Sequence, residues 1–106
     1  MSLLLVNTSV LAEPRTSAVE IILLRALASG AVLVQVEHSQ NMVTMNDGST
    51  CNANFRVENG PDGRGEAIIG TLFLAYGNQQ PVVIEIPTGT AECGFGTDVQ
   101  SVILSR

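Results

Sequence analysis

Short apolar runs separated by Gly, Pro, Asn and Asp limit how this chain can fold more than any other feature. These turn-forming residues recur at short intervals along all 106 residues, and the runs between them are rich in Val, Ile and Leu. Many short strands with turn residues between them are typical of an all-β sandwich or barrel. We therefore predict an all-β fold. The expected form is a single-domain antiparallel β-sandwich of the jelly-roll or immunoglobulin-like kind, spanning residues 1–106.

Two segments alternate clearly between apolar and polar positions. Residues 31–37 contain Val32, Val34 and Val36 at every second position. Residues 50–58 alternate in the same way through Cys51, Ala53, Phe55 and Val57. A period of two gives a strand one buried and one wet face. The turn sequence 46–48, Asn-Asp-Gly, precedes the second segment and is the strongest hairpin signal in the chain.

Residues 17–29 are open to two interpretations. Ser17 and Glu20 could form a helix capping box, with Gly30 ending a short helix at about 17–29. The alternative is a strand that turns at Ser29-Gly30 and pairs with residues 31–37, which we favour because β-branched and apolar residues are frequent on both sides. Further strands are predicted at 67–76, 82–86 and 99–104, giving seven or eight in total.

Charged residues are scarce, and this scarcity indicates which partners to expect. Five arginines and ten acidic residues give a net charge of -5, there is no lysine, and charged residues make up 14% of the chain. An ordinary domain carries about 25%. Scattered single arginines do not suit nucleic acid or an anionic membrane, since both require clustered cations. A charge-poor surface is typical of a protein interface, so we expect the chain to associate with itself and with other structural subunits.

The N-terminal segment is the better of two candidate interaction sites. Leu3, Leu4, Leu5 and Val6 form an apolar run, and residues 1–13 are predicted to be an arm or an edge strand, open to β-augmentation. The run lacks the basic start and the cleavage site of a signal peptide. We therefore expect synthesis in the cytoplasm, without a signal peptide. The second candidate is the glycine-rich loop 59–65, which carries Asp62 and Arg64.

The sequence gives little support to a catalytic, cofactor or metal site. His38 is the only histidine, and no partner residue can be assigned to it, so it is predicted to lie at the surface. Catalytic, cofactor and metal motifs are absent, and we predict none of these sites. A calcium site in the loops near Asp47, Glu58, Asn59 and Asp62 is less favoured than ordinary turn chemistry.

The cysteines and aromatic residues add two further expectations. Cys51 and Cys93 match no metal or redox spacing, and two buried free thiols are favoured over a single bridge. The three phenylalanines are expected in the core, and Tyr76 near the surface, so a sugar-binding platform is weakly supported.

Together these patterns predict a non-enzymatic structural subunit that self-associates and stabilises a larger assembly. In composition and architecture such a chain resembles virion accessory subunits, such as the decoration or cement proteins of phage capsids, and a place in a virion is therefore expected. The alternative is a small β-sandwich module that binds a ligand or protein through the end loops 46–49 and 59–65.

Overall fold

The structure, a computed structural model, describes residues 14–60, 63, 65–87 and 93–105. Within these residues the chain forms eight strands and one α-helix. In chain order they are β1 (Ile21–Ala26), β2 (Val32–Val36), β3 (Met42–Thr44), β4 (Thr50–Asn52), β5 (Asn54–Val57), α1 (Glu66–Asn78), β6 (Val82–Glu85), β7 (Thr97–Asp98) and β8 (Ser101–Leu104). The predicted all-β class is confirmed.

Strand pairing and the chain connection from β7 to β8 link six strands into a ring, with the β3–β4 pair as a separate sheet. One sheet has the order β1-β2-β5-β7, with β5 and β7 parallel and the other neighbours antiparallel. The chain continues from β7 into β8, which pairs with β6. Before β1, Val19 exchanges backbone hydrogen bonds of 2.9 and 2.8 Å with Val82 of β6. The prediction was a sandwich of two sheets packed face to face. In the structure the sheets are instead connected at their edges.

The interior of the ring is formed by the positions that alternate in the sequence. Val34, Val36, Cys51, Ala53 and Phe55 are all fully buried. Outward positions on the same strands, among them Gln35 and Asn54, are only partly covered. The alternation therefore predicted the buried face of β2, β4 and β5 correctly. The hairpin at residues 46–48 is also confirmed, since it joins β3 to β4.

Residues 17–29 do not form the helix that was one of the two interpretations. β1 occupies 21–26 and pairs antiparallel with β2. The turn that follows is closed by the Leu27 N–H, which donates to the Ala31 carbonyl oxygen at 2.9 Å. Gly30 has φ +95°, a left-handed conformation that glycine adopts without strain. The backbone hydrogen bonds along the whole β1–β2 pair stabilise the strand more than one capping interaction at Ser17 would stabilise a helix.

The strand predicted at residues 67–76 is wrong, because this segment is the helix α1. Ile68, Leu72 and Ala75 recur at helical spacing and pack on the core, with Leu72 and Ala75 fully buried. Burial of a leucine side chain stabilises a fold by about 1.5–3 kcal/mol. Apolar content alone could not separate a buried strand from a helix here. Among the helices in the described part of the chain, none combines the length and apolar character that crossing a membrane requires.

Candidate functional site

The interaction residues predicted from the sequence lie outside the described residues. This applies to the apolar run Leu3, Leu4, Leu5 and Val6 and to the loop charges Asp62 and Arg64. Their role in association stays a prediction. The candidate surfaces that the structure does describe lie on α1, β1 and β8, and on the outer side of β2 and β5.

Beyond its first residue, Glu66, the solvent side of α1 carries no charge and is largely apolar. We call it the outer helix face, and it consists of Ala67, Gly70, Phe73, Leu74 and Gly77, all of them exposed. Phe73 is 47% and Leu74 55% exposed. No charged residue occurs from residue 67 to residue 81. A helix that is apolar on all sides is normally buried, so the outer helix face has the character of a covered surface.

Further exposed apolar side chains lie on the two strands that contact α1. The helix packs against both β1 and β8. Ile22 and Leu23 of β1 are 46% and 44% exposed, and Ile103 and Leu104 of β8 are 42% and 37% exposed. Tyr76, near the end of α1, is 45% exposed, which confirms its predicted position near the surface. Both strands that contact the helix therefore carry exposed apolar side chains of their own.

Sequence reasoning placed two phenylalanines wrongly. Phe55 is fully buried, as expected, but Phe73 and Phe95 are exposed, Phe95 by 68%. A signal for Phe95 was present in the sequence: glycines flank it on both sides, as in a turn and unlike the middle of a strand. Phe73 was misplaced because its segment was read as a strand.

Glu66, exposed in the first turn, is the charged residue of α1. Arg15 pairs with Glu85 at 3.6 Å, and Arg56 forms a close ion pair with Glu58. His38 is exposed, as predicted; its Nδ1 accepts a hydrogen bond from the Asn41 N–H at 2.9 Å, and its Nε2 lies 3.3 Å from Gln35 Nε2. Within the described residues, no three His, Cys, Asp or Glu side chains cluster as metal ligands.

The polar side chains of loop 46–49 form hydrogen bonds within the turn and to the neighbouring backbone. Asp47 Oδ1 accepts hydrogen bonds from the Ser49 N–H at 2.9 Å and from Ser49 Oγ at 2.6 Å. Asn46 Oδ1 accepts one from the Arg15 N–H at 3.0 Å. These groups hold the hairpin in place, and their geometry favours the turn interpretation over a calcium site.

The outer side of β2, β4 and β5 carries three side-chain amides. We call Gln35, Asn52 and Asn54 the amide face. Gln35 and Asn54 are direct neighbours across the strand pair, and Asn54 Nδ2 donates to Asn52 Oδ1 at 2.8 Å. Such amides donate and accept hydrogen bonds without carrying charge.

A cleft opens at the other end of β5, between β7 and the start of α1. Its volume is about 640 Å³. Its lining includes the polar residues Arg56, Glu58, Asp98 and Gln100 and the apolar residues Ile68 and Val99. Small-molecule sites commonly measure about 300–1,000 Å³ and combine apolar walls with a few polar groups.

Cys51 and Cys93 form a disulfide, which corrects the favoured interpretation of two free thiols. Their Cα atoms are 4.7 Å apart. The Asn52 N–H donates to the Cys93 carbonyl oxygen at 2.8 Å, so the backbone of the later loop runs beside β4. Sequence spacing could not show this approach, because the cysteines are 42 residues apart in the chain.

The comparisons with known proteins assign no family. No protein-family model matches the chain, and a search of curated proteins returned no match. The functional conclusion therefore depends on the surfaces described above.

Proposed function

We propose that this protein is a non-enzymatic structural subunit that self-associates through the outer helix face and stabilises a larger assembly. The observation that carries the proposal is the exposure of Phe73 and Leu74 on a helix without a single charge from residue 67 onward. When another protein surface covers exposed apolar area of this kind, the free energy of the system decreases because that area is removed from water.

A second copy of the chain is the occupant that best fits this face. The molecule carries a net charge of -5, and like charges repel as copies approach. The uncharged helix face is where two copies meet with the least repulsion. Its apolar side chains supply the attraction, which is the hydrophobic effect.

The interface must include more than the helix. A stable interface buries about 800 Å² on each partner, and α1 is only about 20 Å long at 1.5 Å per residue. Exposed apolar residues also occur on β1 and β8, the two strands that contact α1. We propose that Ile22, Leu23, Ile103 and Leu104 form the margins of the interface.

The larger assembly stays a prediction from composition, namely a virion with this chain as an accessory subunit. The Cys51–Cys93 disulfide supports a final location outside the reducing cytoplasm, because disulfides persist on virions, on cell surfaces and in secreted proteins. Synthesis in the cytoplasm without a signal peptide stays a prediction as well.

The first test is to place a charge at the centre of the outer helix face. We expect the unmodified protein to have one fixed oligomeric mass by light scattering coupled to size exclusion, across a wide concentration range. Leu74→Glu should give a monomer, because a carboxylate would be buried without a partner in the interface. Met42→Glu is the matched control, since Met42 is also exposed, by 39%, but lies on β3; this variant should keep the original mass.

Two results would contradict the proposal. One is a monomeric unmodified protein at every concentration; the other is a Leu74→Glu variant with the original mass. Far-ultraviolet circular dichroism of both variants would establish that any change of mass comes from the interface and not from unfolding.

A further inference from the structure

We propose that β1 pairs antiparallel with β1 of a second copy, so that the sheets of the two copies become one continuous sheet across a two-fold axis. The inference rests on the proposed self-association and specifies how β1, a margin of the proposed interface, meets its partner. It depends on the backbone edge of the strand and on two charged side chains, which are not part of the outer helix face.

One edge of β1 has no strand beside it in the described part of the chain. β1 is the terminal strand of the sheet β1-β2-β5-β7. The Glu20 carbonyl oxygen accepts from the Glu37 N–H beyond β2, whereas Val19 pairs with Val82, so β6 adjoins the opposite edge. That pairing ends there, because the next residue of the β6 side is Pro81, which has no N–H to continue a ladder. The helix α1 contacts β1, but among the described residues no backbone hydrogen bond joins the two.

The side chains of β1 favour pairing over exposure. The strand has six residues, and Ile22 and Leu23 at its centre are 46% and 44% exposed. An apolar edge strand of this length is a template for pairing with another chain, because its unpaired N–H and C=O groups accept a further strand. A second β1 would satisfy these backbone groups and cover the two apolar side chains in the same step.

The β-bulge in β1 determines which of its side chains share a face. The register with β2 shifts between Ile21 and Leu23. Ile21 and Leu24 lie opposite buried valines of β2 and therefore on the inner face. Leu23, Arg25 and Glu20 are the neighbours of these inner residues and lie on the outer face. Two residues that are directly opposite in an antiparallel pair must lie on the same face of the sheet, which restricts the registers open to two copies of β1.

A two-fold axis between Ile22 and Leu23 meets this condition. Ile22 of each copy then lies opposite Leu23 of the other, and the inner residues Ile21 and Leu24 lie opposite each other. Both central side chains are exposed in the single copy, and this register covers them together. Cross-strand pairs of β-branched and other apolar residues stabilise a sheet.

The same register brings opposite charges together on both sides of the axis. Glu20 of one copy lies opposite Arg25 of the other, and the symmetry repeats the pair. Both residues are exposed, and neither has an ion pair within the described part of the chain. Opposite charges directly across two strands are stabilising, and like charges there are destabilising. This complementarity of the strand with itself favours a second copy as the occupant of the edge.

The test is charge reversal at both positions, followed by sedimentation equilibrium over a dilution series. Arg25→Glu and Glu20→Arg each place like charges opposite one another, and each should raise the dissociation constant of the associated protein about tenfold or more. An equimolar mixture of the two variants should restore the original affinity, because every arginine of one variant then lies opposite a carboxylate of the other. Asp98→Arg is the matched control, since it reverses an exposed acidic residue on β7 and should not weaken association.

Two results would overturn the inference: unchanged affinity in both single variants, or a mixture that associates as weakly as its components. Unchanged affinity is also the result expected if an uncharged strand, such as the segment 3–6, occupies the edge. Far-ultraviolet circular dichroism of each variant would show that weaker association does not come from unfolding.

The Leu74→Glu variant separates this inference from the proposed function. If Leu74→Glu gives a monomer while the charge reversals keep the original affinity, the outer helix face is the interface and the β1 pairing is wrong. If the charge reversals weaken association and Leu74→Glu keeps the original mass, the β1 pairing is supported and the outer helix face is not the interface.

Discussion

Asp47 is a residue whose side chain organises its own turn. It accepts two hydrogen bonds from Ser49, one from the hydroxyl and one from the backbone N–H. These hydrogen bonds, that of the Ser49 side chain first, hold the pKa of Asp47 below its usual value. They favour the ionised carboxylate, so the charged form stabilises the β3–β4 hairpin.

This lowered pKa predicts a small pH dependence of stability. A folded-state pKa below the unfolded value gives a contribution that is present above the unfolded pKa, about 4, and is lost as the pH falls through the folded pKa. Asp47→Asn keeps an oxygen acceptor but removes the charge. We expect the difference in urea midpoint between the two proteins to be greatest at neutral pH and to shrink below about pH 4. A difference that stays constant across this range would contradict the assignment.

At the scale of elements, the position of α1 depends on a close backbone approach at its start. Gly65 is buried just before the helix, and a Cβ there would overlap the Glu58 carbonyl oxygen and lie 3.3 Å from Asn59 Cα. Backbone atoms cannot move aside as a flexible side chain does. The absence of a side chain at Gly65 therefore allows α1 to pack on the end of β5 and to form one wall of the cleft.

A pair of alanine substitutions tests this contact. Gly65→Ala should destabilise the fold by about 1–3 kcal/mol, because it forces the helix away from β5. Gly70→Ala has nothing within 4 Å of the added methyl group; it should stabilise the fold by up to about 1 kcal/mol through helix propensity. Denaturant unfolding at matched oligomeric mass measures both. Equal midpoints for the two variants would be inconsistent with the close packing at Gly65.

In the whole molecule, the disulfide connects two segments that are distant in sequence. It joins Cys51 on β4 to Cys93 in the loop before β7, across 42 residues. Closing a loop of that length removes conformational entropy from the unfolded chain, worth about 4 kcal/mol in the chain-entropy model. The same bond fixes the loop that presents Phe95.

Reduction should therefore destabilise the protein. We expect a reducing agent to lower its free energy of unfolding by about 2–4 kcal/mol. The double variant Cys51→Ala, Cys93→Ala is the control and should show no response to the reducing agent. An unchanged urea midpoint of the unmodified protein under reducing conditions would contradict a structural role for this bond.

Local patterns in the sequence were enough to predict the all-β class, the buried face of β2, β4 and β5, and the hairpin at 46–48. Each of these is carried by a local pattern, since strand alternation and turn chemistry involve residues only a few positions apart. The helix at 66–78, the Cys51–Cys93 bond, the closure of the ring and the exposure of Phe73 and Phe95 could not be predicted from such patterns. Those features depend on contacts between residues far apart in the chain. A short apolar run has no conformation of its own until the surface that covers it is in place.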